Sequence, residues 1–429
     1  MMVPAEQSFV PVITGGDVGA YSLAREFHEA YGVVSAVVPT AVNRNLRHSR
    51  ILEAFPAGPM TEEGPVLEAL LAVADALNGR VPGRPLLLLA SYDHLVRFAA
   101  RHRDTLEARG YTVPYPDEGA LDAAALKENF YALCDRFGVP YPRTAAYDAG
   151  SHTPAALAGF LAGLGEDGPA FPVILKAGDG GAWADVRFTG RRKVHVVHGA
   201  EELGELIGRA SGAGYRGSLI VQELVPGPDS QLGIATFFRD GTGTTRLVSY
   251  GEVIVEDHAP GTEGNARAVL AGEHETVARQ GTALLEALDW RGFAMFDIKV
   301  DPRDERAQFL EMNPRLGRNH YYLTGAGANP APYLLAEYLP EVADAVGGPA
   351  PAAGQVTTDG PVLTTTVPMS LVRRYASAGQ REAIRRAARA GRVVRPFEYR
   401  ADADPRRLAG LRLAELNSLR VFRQYPPQS

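Results

Sequence analysis

Several residue types and motifs are scarce or missing in this sequence of 429 residues. Its single cysteine, Cys134, excludes an internal disulfide framework and a cysteine-cluster metal site. No apolar run approaches the roughly 18 residues that a membrane helix needs, so we expect no membrane span. The chain does not open with a basic segment followed by a long apolar stretch, so we expect no secretory signal. These absences favour a cytoplasmic protein from a reducing compartment.

Three motifs of common enzyme classes are also missing. No lysine follows a glycine, which excludes a G-x-x-x-x-G-K-[ST] phosphate loop. The nucleophile elbow G-x-S-x-G and the zinc motif H-E-x-x-H do not occur. The ten histidines show no ligand spacing, so we interpret His28, His48 and His258 as surface or hydrogen-bonded core residues. The net charge of −6 gives no reason to expect a nucleic-acid partner.

Lysine is unusually rare in this chain. It occurs only at positions 127, 176, 193 and 299, and arginine supplies the other 40 of the 44 basic residues. A lysine ammonium is a compact point charge, whereas an arginine guanidinium is a broad planar fork. We therefore interpret the remaining lysines as positions that require a compact ammonium charge, which arginine cannot supply.

The order of predicted elements divides the chain into four parts. Strands alternate with helices over residues 1–120, which predicts a parallel α/β domain. Residues 121–217 predict a compact α+β unit with a glycine-rich loop between two strands, and residues 218–345 a mostly antiparallel sheet with crossing helices. Residues 346–429 hold a linker and a basic extension, with 14 arginines and five acidic residues from position 370 onward.

Two features of these parts leave alternatives open. The turn Gly15–Gly19 after the first strand indicates a tight turn or a substrate contact, with a dinucleotide site as the weaker alternative because G-x-G-x-x-G is incomplete. The arginines at helix-like spacing in the extension indicate a solvated helix face that pairs with acidic patches. A phosphate-rich partner is the alternative, but interleaved aromatic residues are missing.

The strongest cluster of chemically active residues lies on two neighbouring predicted strands. Asp297 lies on the first strand. On the second strand, Glu311, Asn313 and Arg315 alternate to one face. Two carboxylates and an amide oxygen, without thiols or imidazoles, suit a hard cation such as Mg²⁺. Arg315 suits a phosphoryl or carboxylate oxygen, which its fork can bind with two hydrogen bonds. A salt-bridge ladder across a surface hairpin is the alternative.

Two lysines indicate a phosphate site. Lys176 ends an apolar strand beside the glycine-rich loop Ala177–Trp183, which is typical of a phosphate clamp. We predict one helix over Ala123–Phe137, in which Lys127 supplies a second cation. An exposed helical lysine paired with acidic residues is the alternative for Lys127.

A hinge follows the predicted strand Ser218–Leu224. The kink at Pro226–Gly227 leaves backbone groups free, and one carbonyl and one amide there can meet the edge of an adenine. Asp229, just beyond, can accept hydrogen bonds from both ribose hydroxyls. An ordinary strand-to-turn transition is the alternative.

The chain order of these motifs resembles the ATP-grasp superfamily over residues from about 10 to 340. The segments Gly15-Gly16-Asp17 and Gly317-Arg318-Asn319-His320 resemble the D-aspartate ligase-like carboxylate–amine ligases. This resemblance implies an α/β and α+β architecture, namely an ATP-grasp fold with an N-terminal Rossmann-like pre-ATP-grasp domain. It also implies ATP and Mg²⁺ as cofactors.

The resemblance implies a role for each motif residue. The residues that would bind ATP are Lys127, Lys176, Gly178, Gly180, Gly181, Gln222, Glu223, Leu224, Val225 and Asp229. Those that would bind Mg²⁺ are Asp297, Glu311 and Asn313. Arg315 and Lys176 would be catalytic, and the substrate contacts would be Gly16, Asp17, Arg318 and Asn319. Asp297 departs from the family pattern, because many relatives carry glutamate there.

The implied activity is an ATP-dependent ligase that forms a C–N bond through an acyl phosphate, with ADP and phosphate as products. The expected donor is an amino-acid carboxylate, either the α-carboxylate or the side chain of Asp or Glu, and the expected acceptor is an amine of another amino acid. A dipeptide or γ-glutamyl ligase of natural-product biosynthesis and a D-aspartate ligase of cell-wall type both fit. The alternatives are a nucleotide-binding regulatory protein without catalysis and a bicarbonate-using carboxylase. We expect small amino-acid substrates as partners. A homodimer is the oligomeric state that should be tested first.

Overall fold

The computed structural model describes residues 2–165, 168–178, 182–183 and 186–427. Strands in the described ranges form three sheets, one in each of three successive parts of the chain. No helix in those ranges is both long and apolar enough to cross a membrane.

The first sheet is parallel and has helices between its strands. Its strands are β1 (Val10–Thr14), β2 (Ser35–Val38), β3 (Leu52–Ala54), β4 (Leu86–Ala90) and β5 (Tyr111–Thr112). The helices are α1 (Val18–Tyr31), α2 (Glu63–Arg80), α3 (Asp93–Arg101) and α4 (Arg103–Glu107). The strand order is β3-β2-β1-β4-β5, and every residue of β1 and β4 is buried because helices cover both faces. The order reverses between β1 and β4, where such sheets bind ligands, and the turn Gly15–Gly16 lies there.

The second sheet is antiparallel, in the order β6-β9-β7-β8. Its strands are β6 (Thr144–Asp148), β7 (Val173–Ala177), β8 (Val194–Val197) and β9 (Ser218–Glu223). The helices of this part are α5 (Glu118–Ala125), α6 (Lys127–Phe137), α7 (Pro154–Ala162) and α8 (Ala200–Gly212). The prediction of one helix over Ala123–Phe137 is wrong. Leu126 adopts an extended conformation (φ −71°, ψ 122°), so α5 ends there and Lys127 becomes the first residue of α6.

The third sheet follows the order β14-β13-β10-β11-β12-β16-β17, with β15 beside β11. Its strands are β10 (Leu232–Arg239), β11 (Thr245–Glu256), β12 (Ala266–Gly272), β13 (Gly292–Val300), β14 (Ala307–Asn313), β15 (Gly354–Gln355), β16 (Val362–Thr365) and β17 (Val393–Val394). Its helices are α9 (Glu275–Ala287), α10 (Tyr321–Gly325), α11 (Pro330–Tyr338), α12 (Pro340–Val346), α13 (Met369–Tyr375), α14 (Ala378–Arg389) and α15 (Pro405–Gln424). The sequence patterns do not predict β12, β15, β16 or β17.

The C-terminal extension is part of this fold. β16 pairs antiparallel with β12, and further along the buried carboxylate of Asp402 contacts the N-terminal domain. It accepts hydrogen bonds from the Tyr21 hydroxyl at 2.8 Å and the Ser49 hydroxyl at 2.9 Å. The Arg407 guanidinium lies 3.0 Å from it, and both side chains of this ion pair are fully buried. The predicted domain boundaries stay a prediction.

We expect Asp402→Ala to lower the free energy of unfolding by about 3–5 kcal/mol, because it leaves a buried guanidinium without its carboxylate. The exposed Asp344→Ala on α12 is the matched control and should change stability by less than about 0.5 kcal/mol. Urea unfolding followed by circular dichroism measures both variants. Equal unfolding curves for the two variants would show that the pair does not anchor the extension.

Candidate active site

The acidic cluster forms where β13 pairs with β14. Asp297 lies opposite Glu311 in this antiparallel ladder, and Asn313 lies opposite Met295. Residues opposite each other and two apart share one face, so the three polar side chains point the same way. The Asn313 amide donates a hydrogen bond to Asp297 Oδ2 at 3.0 Å. The structure therefore brings together the three residues predicted to bind Mg²⁺.

The two carboxylates of this cluster differ in their ionisation. Burial, and then the charge of Glu311, raise the pKa of Asp297. Burial also disfavours the charged form of Glu311, but the charges of Lys127 and Lys176 outweigh it and lower the pKa of that carboxylate. A pair of half-buried carboxylates that resists double ionisation is stabilised by a cation between them. The donor set of two carboxylates and one amide oxygen thus fits a hard divalent cation.

Both predicted phosphate-binding lysines reach this cluster. Lys127 Nζ lies 3.4 Å from Glu311 Oε2, because the break at Leu126 places Lys127 at the start of α6. Lys176 lies on β7, and its ammonium is 6.0 Å from the centre of the Tyr131 ring. Burial lowers the pKa of Lys176, while the charges of the two carboxylates oppose that shift. A cation at the start of a helix, Lys127, and a cation on a strand, Lys176, therefore both act on one acidic pair.

The two lysines without a predicted role also lie near this region. Lys193 is exposed, yet its positive charge favours the ionised form of both cluster carboxylates, although burial and other residues have larger effects on them. Lys299 on β13 donates a hydrogen bond to the carbonyl of Gly227 in the hinge at 3.0 Å. The scarcity of lysine was the sequence signal that could have found both positions.

Arg315 connects the cluster to the N-terminal domain. Its Nε lies 2.8 Å from Asp93 Oδ1, and its Nη2 donates to Asp93 Oδ2 at 3.1 Å. Burial opposes the charge of this guanidinium, but Asp93 and then Asp17 and Asp297 raise its pKa. No sequence signal pointed to Asp93, which lies 222 residues from its partner.

The glycine-rich loop is described only in part. The backbone N–H of Gly178 donates to the Ser218 carbonyl at 2.8 Å, and a Cβ at Gly178 would lie 3.1 Å from that oxygen. Only glycine fits this approach without displacing the neighbouring strand. Gly180 and Gly181 lie outside the described residues, so their predicted contact with ATP stays a prediction.

The hinge residues differ in whether their hydrogen-bonding groups already have partners within the protein. The buried Gln222 side chain donates to the Tyr131 hydroxyl at 2.9 Å and to Thr144 Oγ1 at 2.8 Å. The N–H of Glu223 donates to the Arg143 carbonyl at 2.8 Å, and that of Leu224 to the Pro172 carbonyl at 3.3 Å. Within the described ranges, the N–H and carbonyl of Val225 have no hydrogen-bond partner. Val225 is thus the hinge residue whose backbone is free to meet an adenine.

Asp229 lies in a group of polar residues that the sequence patterns did not reveal. Its carboxylate accepts a hydrogen bond from the N–H of Glu256 at 3.0 Å, and His258 Nε2 lies 3.0 Å from both of its oxygens. Burial, followed by the charge of Asp229, raises the pKa of Glu256 to about 7. The group's ligand atoms lie within 4.8 Å of one another. Asp229 and Glu256 are 27 residues apart in sequence, so no local motif contains both of them.

The four predicted substrate residues meet at the start of α1. Asp17 caps this helix, accepting from the N–H of Ala20 at 2.9 Å, and its other oxygen lies 2.8 Å from Arg318 Nε. The Gly16 carbonyl accepts from the Asn43 amide at 2.7 Å. Among the described residues, nothing donates a hydrogen bond to the buried Oδ1 of Asn319. An ion pair and an unused acceptor thus lie on the Arg315 side of the N-terminal domain.

The buried residue His320 holds the segment 317–319 in place. Its Nε2 lies 2.8 Å from Glu26 Oε2, and its Nδ1 lies 2.7 Å from the Gly317 carbonyl. Both side chains of the pair are buried almost completely. Burial alone would lower the pKa of His320, but the charge of Glu26 raises it.

Comparison with known proteins gives one curated relative and several similar folds. The chain is 28% identical over 329 residues to the D-aspartate ligase of Enterococcus faecium, and the match covers 76% of each chain. No family model matches the chain. This relative confirms the predicted resemblance to D-aspartate ligase.

Solved structures with similar folds include nucleotide-bound carboxylases and synthetases. The biotin carboxylase domain of Hydrogenobacter thermophilus 2-oxoglutarate carboxylase, solved with MgADP, is 15% identical with a TM-score of 0.59, covering 83% of this chain and 74% of its own. The N5-carboxyaminoimidazole ribonucleotide synthetase of Thermus thermophilus is 22% identical with a TM-score of 0.54, covering 82% of both chains. An ADP complex of such a synthetase is 14% identical with a TM-score of 0.57 over 99% of both chains. These likenesses confirm the predicted fold.

Proposed function

We propose that this chain is a member of the ATP-grasp superfamily that activates a carboxylate of an amino acid as an acyl phosphate and joins it to the amine of a second amino acid or peptide. At the coarser level the chain is an ATP-dependent ligase that forms C–N bonds with ATP and Mg²⁺ as cofactors, as predicted. The donor, the acceptor, a role in natural-product biosynthesis, a homodimer and a cytoplasmic location stay predictions.

One arrangement carries the proposed reaction. Lys127 lies 3.4 Å from Glu311, and Lys176 and Arg315 interact through their charges with the same acidic pair. Phosphoryl transfer needs a protein to position the reactants and to stabilise charge on phosphate oxygens, and it needs little covalent chemistry from side chains. A triphosphate end placed here would meet three cations and a metal-binding acid pair. This arrangement favours catalysis over a regulatory role that needs nucleotide binding alone.

Each residue of the cluster has a distinct role in this mechanism. Asp297, Glu311 and Asn313 would hold Mg²⁺, which when bound neutralises phosphate charge. Lys176 binds phosphate oxygens, and Arg315 stabilises the charge on the transferred phosphoryl group. A donor carboxylate oxygen then bonds to the γ-phosphorus while the bond to the ADP oxygen breaks. In the second step the amine nitrogen bonds to the acyl carbon, phosphate leaves, and the nitrogen loses a proton.

We propose a dicarboxylic amino acid as the donor, with D-aspartate as the first candidate because the curated relative is named for it. The residues near Arg315 support this class of donor. The unused acceptor Asn319 Oδ1 and the Asp17 carboxylate suit an ammonium group, and Arg318 suits a carboxylate.

A hydroxylamine trap tests this proposal. With ATP, Mg²⁺ and hydroxylamine in place of the amine, we expect one amino acid from a panel of L and D forms to give a hydroxamate, ADP and phosphate. Mass spectrometry of the hydroxamate then identifies the activated carboxylate, α or side chain. Release of AMP and pyrophosphate would contradict the acyl-phosphate mechanism, and a panel without any hydroxamate would contradict an amino-acid donor.

A further inference from the structure

A pocket of about 280 Å³ is lined by Asp17 and Arg318 and by none of the three residues of the acidic cluster. Three separate parts of the chain form its wall. The N-terminal domain contributes the start of α1 and the loop at Arg44, and the third sheet contributes residues between Asp257 and Arg267. The C-terminal extension contributes residues 395–415. Apart from Asp17 and Arg318, none of these lining residues has a role in the reaction proposed above.

The pocket is lined by five arginines and four carboxylates, and most of these charges neutralise each other. The pairs, with their N–O distances, are Arg267–Asp257 at 2.9 Å, Arg318–Asp17 at 2.8 Å, Arg395–Glu415 at 2.6 Å and Arg412–Glu398 at 2.8 Å. Arg44 is different, because it is exposed and has no ion-pair partner in the part of the chain that the structure describes. An anionic group that enters the pocket could therefore bind to the guanidinium of Arg44 without displacing a carboxylate.

We propose that this pocket binds the amine-bearing substrate and that Arg44 binds the carboxylate of that substrate. The inference rests on the proposed ligase function. Two substrates that react must occupy adjoining sites. Arg318 lines the pocket and lies over the Tyr92 ring at 5.7 Å, and the next residue, Asp93, is paired with Arg315. The amine would lie at the end of the pocket that faces the activated donor, and the carboxylate would lie at the far side against Arg44.

The C-terminal extension holds the outer wall of the pocket rigidly. Arg25 Nη1 donates hydrogen bonds to three of its backbone carbonyls, those of residues 395, 396 and 398, at 2.8–3.1 Å. Arg407 donates to the Asn45 carbonyl at 2.6 Å, close to Arg44. A wall fixed from both ends does not lose conformational freedom when the ligand binds, which favours affinity. This explains why an arginine-rich extension would be part of the enzyme.

The size of the pocket limits the substrate class. Pockets for drug-sized ligands occupy roughly 300–1,000 Å³, so this one lies just below the small end of that range. A free amino acid or a dipeptide fits such a volume, whereas a long peptide would have to extend out of it. We therefore expect a small zwitterionic acceptor.

The test compares free amino acids and dipeptides with their C-terminal amides as acceptors, using the donor that the hydroxylamine assay identifies. Removing the acceptor's carboxylate should raise KM for the wild-type enzyme roughly 10- to 100-fold, the factor expected for one charged hydrogen-bonded pair. Arg44→Ala should raise KM for the free acceptor by a similar factor and abolish the difference between acid and amide. Arg47→Ala, at an exposed arginine of the same loop outside the pocket, should behave like wild type.

A second pair of variants tests the pocket itself. Ala414→Phe places a ring in the pocket, whereas Ala409→Phe lies on an exposed part of the same helix, α15. We expect Ala414→Phe to lose amide formation and to keep hydroxamate formation, because hydroxylamine needs no pocket. Unchanged acceptor KM in both Arg44→Ala and Ala414→Phe would overturn this inference, as would hydroxamate formation without reaction of any amino acid or dipeptide. Failure of the wild-type hydroxylamine assay would instead overturn the proposed function.

Discussion

Glu311→Gln should reduce turnover roughly 10³-fold or more while the protein stays folded. The substitution keeps the shape of the side chain and removes one of the two charges in the cluster. Glu311 faces Asp297 across the strand pair and contacts Lys127, so its charge sets both the affinity for Mg²⁺ and the position of that lysine. Its side chain is 31% exposed, so losing the charge should not unfold the sheet.

The measurement is ADP release at saturating ATP, Mg²⁺ and donor, with the melting temperature as a check on folding. Glu341→Gln, at an exposed glutamate in the first turn of α12, is the matched control and should retain full activity. A loss of only a few-fold in Glu311→Gln would contradict the assignment of Glu311 as a metal ligand.

Lys176→Ala should weaken ATP binding and lower kcat, each by roughly 10- to 100-fold. The reason is that a cation which binds phosphate in the ground state also stabilises the charge that develops during transfer. The charges of Asp297 and Glu311 both act on this lysine, which places it within reach of a triphosphate bound at the metal site.

Lys176→Arg separates charge from shape at this position. The variant keeps a cation, and yet we expect it to restore ATP affinity more than kcat, because a planar guanidinium does not occupy the volume of an ammonium. Isothermal titration calorimetry with ATP and steady-state kinetics give the two quantities. If Lys176→Ala had wild-type affinity and turnover, Lys176 would have no part in phosphate binding.

Local patterns in the sequence predict much of the site. The two-residue period of β13 and β14 predicts that Asp297, Glu311 and Asn313 share a face, and the register places them there. The scarcity of lysine singled out four positions, and the structure places all of them near the cluster or the hinge. Such features depend on residues that are close in sequence or paired in one hairpin.

Contacts between distant segments could not be predicted in this way. Asp93 and Arg315 are 222 residues apart, and Tyr21 and Asp402 are 381 residues apart, so no periodicity relates them. The extension was therefore predicted as a solvated addition, and its buried ion pair and its part in the pocket could be found only from the fold. The break at Leu126 was also missed, because no proline or glycine in Leu121–Glu128 marks it.

The most direct test of the mechanism uses donor labelled with ¹⁸O in its carboxylate. In the proposed reaction a carboxylate oxygen bonds to the γ-phosphorus and leaves with phosphate when the amine attacks. We therefore expect one ¹⁸O atom in inorganic phosphate for each amide formed, and unlabelled ADP. Label in AMP, or unlabelled phosphate at full amide yield, would contradict phosphoryl transfer to the donor at the cluster of Asp297, Glu311 and Arg315.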